Sequence, residues 1–117
     1  MTQRLTEYLR QTYGAEAEYP WKDDGQNAVF RHRENRKWFA LLMRGLSPGC
    51  LGLSREGSMD VLNLKCDPNF SGSVKDGRHV FPAYHMNKEH WISVLLDEGL
   101  DFGLLTVLVD MSYELTK

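Results

Sequence analysis

The sequence predicts an α+β domain of two layers, an antiparallel sheet with helices packed on one face, in the order α-β-β-β-α-β-α. Three observations carry that expectation. Residues 27–33 and 37–44 alternate with the period of two that marks a half-buried strand, on either side of the polar turn Glu34-Asn35-Arg36. Leu104, Leu108, Met111 and Leu115, reinforced by Leu105 and Val109, instead repeat at helical spacing. Between these blocks, Asp67-Pro68 has the form of a helix cap followed by proline at the first helical position, so a helix interrupts the strands. Strands and helices mixed in this order pack as a sheet covered on one side.

With 117 residues, 42% of them hydrophobic, the chain can build one core and is too short for two, so residues 1–117 are read as a single domain. Thr2 is the expected N-cap of a first helix in which Leu5, Tyr8 and Leu9 share a face, and Gly14 supplies its left-handed stop. Residues 15–24, with Tyr19-Pro20-Trp21, read as an ordered loop, because proline holds the preceding residue extended. In the first strand Ala28 and Phe30 oppose Val29, Arg31 and Arg33. In the second, Phe39, Leu41 and Met43 oppose Trp38, Ala40, Leu42 and Arg44, and the pair makes a hairpin.

Residues 45–60 are rich in Gly, Ser and Pro and read as a long loop, with residues 50–54 able to add a little strand. Residues 61–66 alternate again, a short helix follows over residues 68–74, and residues 80–82 run extended. Residues 91–96 form the most apolar strand, with Ile92, Val94 and Leu96 toward the core, and Asp101 caps the last helix. On this pattern the other sheet face is partly open and carries Arg31, Arg33, Trp38, Arg44 and Lys65, with Trp91 and Ser93, a mixture of cations and stacking surfaces.

Fourteen Lys plus Arg against 16 Asp plus Glu give a net charge of -2, which argues against coating nucleic acid by bulk charge. The chain opens without a signal-type apolar core, and its apolar runs are far shorter than the roughly 18 residues that span a bilayer, so a cytoplasmic protein without a membrane partner is expected. Cys50 and Cys66 lie outside C-x-x-C spacing and are expected as free thiols.

Residues 85–91 pack two histidines, an amide, a lysine and an indole into seven residues, His85, Asn87, Lys88, His90 and Trp91 among them, directly after Tyr84. His85 and His90 are five apart, not at the i, i+4 spacing that sets two metal ligands on one helical face, and the expected use of this stretch is hydrogen bonding to backbone at a tight junction. A small-molecule pocket around it is the alternative. Cys66 entering Asp67-Pro68 is more simply a buried hydrophobe than a nucleophile, and no glycine-rich phosphate loop occurs, so neither an enzyme nor a cofactor is expected. The cluster Arg31, His32, Arg33, Arg36, Lys37 and Arg44 beside Trp38 is the better candidate, since cations on a hairpin can contact phosphates while the indole stacks.

Several spaced motifs also carry a family resemblance: Lys65-Cys66-Asp67-Pro68, the run Pro82-Ala83-Tyr84-His85-Met86-Asn87-Lys88-Glu89-His90-Trp91, and Asp110-Met111-Ser112-Tyr113. With Glu18-Tyr19-Pro20-Trp21 and Trp38-Phe39-Ala40-Leu41, the chain resembles the MmcQ/YjbR-like family of small bacterial proteins over nearly its whole length. The resemblance implies a secretion-chaperone-like fold described as a double wing, and on that shape a DNA-binding role, with no enzymatic activity to carry over. The rival expectation is a protein-interaction module docking through its apolar face and the 45–60 loop. The chain departs from the family pattern in that long excursion and in the weak helix formers Asn69-Phe70-Ser71-Gly72-Ser73.

Overall fold

The computed structural model describes residues 1–21 and 26–117, so the end of the expected 15–24 loop lies outside the described residues. Among the described residues the elements are α1 (Thr2–Tyr13), β1 (Asn27–Arg31), β2 (Trp38–Leu46), β3 (Met59–Lys65), α2 (Pro68–Val74), β4 (Val80–Pro82), β5 (Trp91–Leu95) and α3 (Phe102–Leu115). One antiparallel sheet runs β1-β2-β3-β5-β4. The α+β expectation holds. The stretch expected only to be extended becomes the short edge strand β4, where Pro82, which has no N–H to donate, sits at the sheet margin.

Local capping chemistry acts largely as read. Gly14 ends α1 at φ 65°, Asp67 accepts from Asn69 N at 2.9 Å to start α2, and Asp101 accepts from Gly103 N at 2.8 Å to start α3. Thr2 does not cap α1: Met1 holds that position, and Thr2 Oγ1 instead donates to Asp60 Oδ2 at 2.6 Å, tying the helix start to β3.

The helices cover one face of the sheet over Ala28, Phe30, Ala40, Leu42, Leu62, Leu64, Ile92 and Val94, with Leu5 and Leu9 of α1 and Leu105, Leu108 and Val109 of α3. The alternation expected in β2 fails at one point. The register slips between Phe30 and Arg31, and the bulge turns Phe39 onto the helix side with Ala40 and Leu42, leaving Trp38, Leu41 and Met43 opposite.

The second face is not open, which corrects the expectation on which a cationic sheet surface rested. Val29, Leu41, Met43, Met59, Val61, Phe81 and Leu95 are buried on it, under Leu46 at the end of β2, Cys50, Leu51 and Leu53 of the long excursion, and Tyr84 and Met86. That excursion forms a 3₁₀ turn, Pro48–Leu51, closed by Leu53 N donating to Pro48 O at 3.1 Å, and not the extra strand. Ser93 is fully buried there, bonded at 2.5 Å to Asn63, whose amide donates to Tyr84 O at 2.9 Å. The physical reason was visible in residues 38–43, an unbroken apolar run of the kind that belongs to a strand covered on both faces.

The stripe expected to pack α3 is also shifted. Leu105, Leu108, Val109 and Ser112 are buried, whereas Leu104 and Leu115 stay 40% and 43% exposed. Ser112 and Thr116 take core positions because their hydroxyls have buried partners: Ser112 Oγ donates to Phe39 O at 2.5 Å and accepts from Lys65 N at 2.8 Å, and Thr116 Oγ1 donates to Ser112 O at 2.8 Å. Among the described residues, no helix is long and apolar enough to cross a membrane.

Candidate functional site

The β1–β2 hairpin closes through a turn built by its own side chains. His32 N donates to Lys37 O at 2.9 Å, Arg36 N to His32 O at 3.1 Å, and the Asn35 carboxamide oxygen accepts from Lys37 N at 2.8 Å. Arg36 sits in the left-handed region at φ 63°, a conformation the surrounding bonds must hold against its side chain. The turn is then fastened to the end of α3. Asn35 Nδ2 donates to Thr116 O at 3.0 Å, and His32 Nε2 lies 2.7 Å from Thr116 Oγ1. Since that hydroxyl gives its proton to Ser112 O, His32 Nε2 is the donor.

Beneath the turn is an aromatic stack. Tyr113 lies 4.3 Å from Tyr13 on one side and 4.1 Å from His32 on the other, with Phe39 edge-on at 5.0 Å. Burial pushes the His32 imidazole below its ordinary pKa, so the ring is neutral in the fold, and burial likewise pushes the Tyr13 phenol up. Against this stack opens a cavity of about 500 Å³ lined by His32, Arg33, Glu34, Asn35, Tyr113 and Lys117.

The hairpin cations separate into two groups. Arg31 and Arg36 share one carboxylate, Glu18, at 3.4 and 3.0 Å, and Arg31 also donates to Arg36 O at 3.3 Å and lies 5.7 Å from the Trp38 ring. Glu18 is held there by a two-way backbone bridge to Val29. Arg44 donates to Tyr19 Oη at 3.1 Å, and Lys65 lies 5.6 Å over the Trp91 ring. Arg33 and Lys37 differ: both are exposed, and among the described residues no carboxylate lies within ion-pair distance of either. Trp38, expected as a stacking surface, is half-buried with Trp21 edge-on at 5.8 Å.

The 84–91 stretch is neither buried nor the wall of this cavity. Asn87 does the expected work at a tight junction, accepting from Glu89 N at 2.8 Å and His90 N at 3.1 Å, while its carbonyl accepts from Trp91 N at 3.0 Å. His85 takes a left-handed φ of 64° with its ring 3.8 Å from Tyr84, and His85, Lys88 and His90 are exposed. Its architectural contacts are to residues on either side of α2, since Cys66 N donates to His90 O at 2.7 Å and Lys75 Nζ to Lys88 O at 3.2 Å. Among the described residues, no group of three or more His, Cys, Asp or Glu side chains gathers as a metal site would require. Cys66 and Cys50 are free thiols, and burial pushes the Cys66 thiol up, away from the thiolate a nucleophile needs.

Asn35, Tyr113, Thr116 and Lys117 were missed as members of this site, and His32, expected as part of the basic cluster, is instead buried and neutral beneath the turn. The signals available were Asn35 in a turn and the Asp110-Met111-Ser112-Tyr113 motif, whose members accept from Tyr13 Oη at 3.3 Å, bridge β2 to β3, and stack against the hairpin.

Comparison with known proteins places this geometry in context. The YjbR family profile matches residues 10–115. The uncharacterized protein YyaQ of Bacillus subtilis is 40% identical over 113 residues, 97% of this chain and 95% of its own length. A Pseudomonas syringae protein known from a crystal structure superposes with a TM-score of 0.94 at 38% identity, covering 100% of this chain and 99% of that one. A Deinococcus radiodurans protein shares the fold at a TM-score of 0.71 and 24% identity, over 98% of this chain and 77% of its own.

Proposed function

The chain belongs to the YjbR family, and from that premise we propose that it is a non-enzymatic binding protein whose β1–β2 hairpin tip contacts the phosphate backbone of DNA. The observation that carries the reading is the pair of exposed cations, Arg33 and Lys37, which have no ion-pair carboxylate among the described residues and flank a turn tied to α3. The sheet face has no part in it.

The same geometry limits the mode of binding. Tyr113 has both ring faces occupied and Trp38 is packed against Trp21, so neither supports stacking on a base. Contact is therefore to backbone, sequence-independent and weak. Two neutralised phosphates give a log–log salt slope of about -2, so affinity falls roughly tenfold between about 50 and 200 mM salt. Fluorescence anisotropy with a labelled duplex at both salt concentrations tests this, beside the double variant Arg33→Glu, Lys37→Glu. Loss of binding in that variant with its fold intact is expected; no binding at low salt, or binding indifferent to the variant, sinks the proposal.

A further inference from the structure

Arg33 and Glu34 are successive residues at the hairpin turn, opposite in charge, and both line the cavity of about 500 Å³. Among the described residues they form no ion pair with each other or with any other group. Each is drawn its own way. The Arg33 side chain lies along Gly14, where an added Cβ would meet its Nη1 at 3.4 Å, so it stands by the C-terminal, negative end of α1. The Glu34 carboxylate instead acts on the buried His32 imidazole, favouring its proton. A cation and a carboxylate left unmatched on one cavity call for a ligand that carries both charges.

The rest of the lining narrows that ligand. Lys117 brings a second positive charge, but the Glu114 carboxylate lies 3.1 Å from its Nζ and matches it. With His32 neutral, the side-chain charges around the cavity therefore cancel, Arg33 and Lys117 against Glu34 and Glu114. A phosphate or other bare anion would meet Glu34, and a metal ion or simple amine would meet Arg33, so the local field favours neither. A zwitterion satisfies both residues. Asn35 adds a donor, since its Nδ2 keeps one hydrogen after donating to Thr116 O at 3.0 Å. Tyr113 has a ring on either face and presents only its edge, so the body of the ligand meets ring edges and the methylene stems of Arg33 and Lys117. That surface suits an aliphatic group and offers no face for stacking. The volume lies within the roughly 300–1,000 Å³ of small-molecule pockets.

We propose that this cavity binds a free α-amino acid, its carboxylate held by Arg33 and Asn35 and its ammonium by Glu34. The lining is exposed apart from His32 and Tyr113, so binding is weak, with a Kd on the order of 1 mM. Arg33 is shared with the DNA contact proposed above, whereas Glu34 has no part in that contact and tests this site alone.

Titration of the full chain with L-leucine, followed in amide NMR spectra, reads binding residue by residue. L-leucine moves the signals of residues 32–35 and 113–117 along one saturable curve. Isocaproate, which lacks the amine, and isoamylamine, which lacks the carboxylate, each bind at least about tenfold more weakly. Glu34→Gln, at an exposed position, leaves Tm unchanged, lowers the affinity for L-leucine about tenfold and makes isocaproate binding no weaker. Arg33→Gln weakens L-leucine and isocaproate alike and spares isoamylamine. No saturable movement with L-leucine or any other common amino acid up to about 20 mM, isocaproate binding as tightly as L-leucine, or L-leucine binding indifferent to Glu34→Gln overturns the proposal.

Discussion

Ser112→Ala removes one oxygen from the fully buried junction where α3 meets the sheet. Ser112 Oγ donates to Phe39 O at 2.5 Å and accepts from Lys65 N at 2.8 Å, so a single hydroxyl serves β2 at its bulge and the end of β3. The Lys65 N–H has one hydrogen to give, and after the substitution that hydrogen faces a methyl group. A buried polar group left without a partner costs about 1–3 kcal/mol, and here two lose one, so the expected loss is about 2–6 kcal/mol. At roughly 4 °C per kcal/mol for a domain of this size, Tm falls by about 8–24 °C. Thermal unfolding followed by circular dichroism, with urea titration as a second measure, reads the change. A Tm within about 2 °C of wild type would refute the reasoning, because it would mean that water or another carbonyl serves both groups equally well.

Three further outcomes follow from the same contacts. His32 is held below its ordinary pKa by burial, so the folded state disfavours its proton; its stabilising effect is complete above the unfolded pKa of about 6.5 and shrinks as pH falls below it. Tm measured from pH 8 to pH 5 should decline on the acid side, and His32→Gln should flatten the part of that decline below about pH 6.5; an unchanged profile contradicts the assignment. Phe81, 6% exposed on the second face, should cost about 3 kcal/mol on replacement by alanine, as a core phenylalanine does, and a loss under about 1 kcal/mol would mean the 46–53 segment does not seal that face. Glu18→Gln should free Arg31 and Arg36 and strengthen DNA binding severalfold with a steeper salt slope, read in the same anisotropy assay; weaker or equal binding by a folded variant counts against the tip as the contact surface.

What the sequence made legible was local. The hairpin, the left-handed Gly14, and the Asp67 and Asp101 caps each depend on a few neighbouring residues, and each stands in the fold. What escaped depends on distant chain. Leu104 and Leu105 are adjacent leucines in a helix apolar nearly all round, and only the approach of the sheet decides that one is 40% exposed and the other buried. The alternation in β2 gave no warning of the bulge that carries Phe39 across to the helix side. The excursion at residues 45–60 looked like a loop because of its glycines and proline, while Leu46, Leu51 and Leu53 within it are what close the second face.

The cationic cluster shows why a count of charges misleads where a count of partners does not. Residues 31–44 hold Arg31, Arg33, Arg36, Lys37 and Arg44, which reads as a basic surface against a chain of net charge -2. The fold brings Glu18 from before the first strand, pins it to Val29, and spends its carboxylate on two of those arginines, while Tyr19, one residue on, takes Arg44. The exposed cations left without an ion-pair carboxylate among the described residues are Arg33, whose side chain lies beside Gly14, and Lys37, and the residues that fix the turn's orientation are uncharged or neutral: Asn35, His32 and Thr116. The exposed charge at the turn is thus what Glu18 leaves over, and the turn's direction is set by the end of α3, to which His32 and Asn35 fasten it.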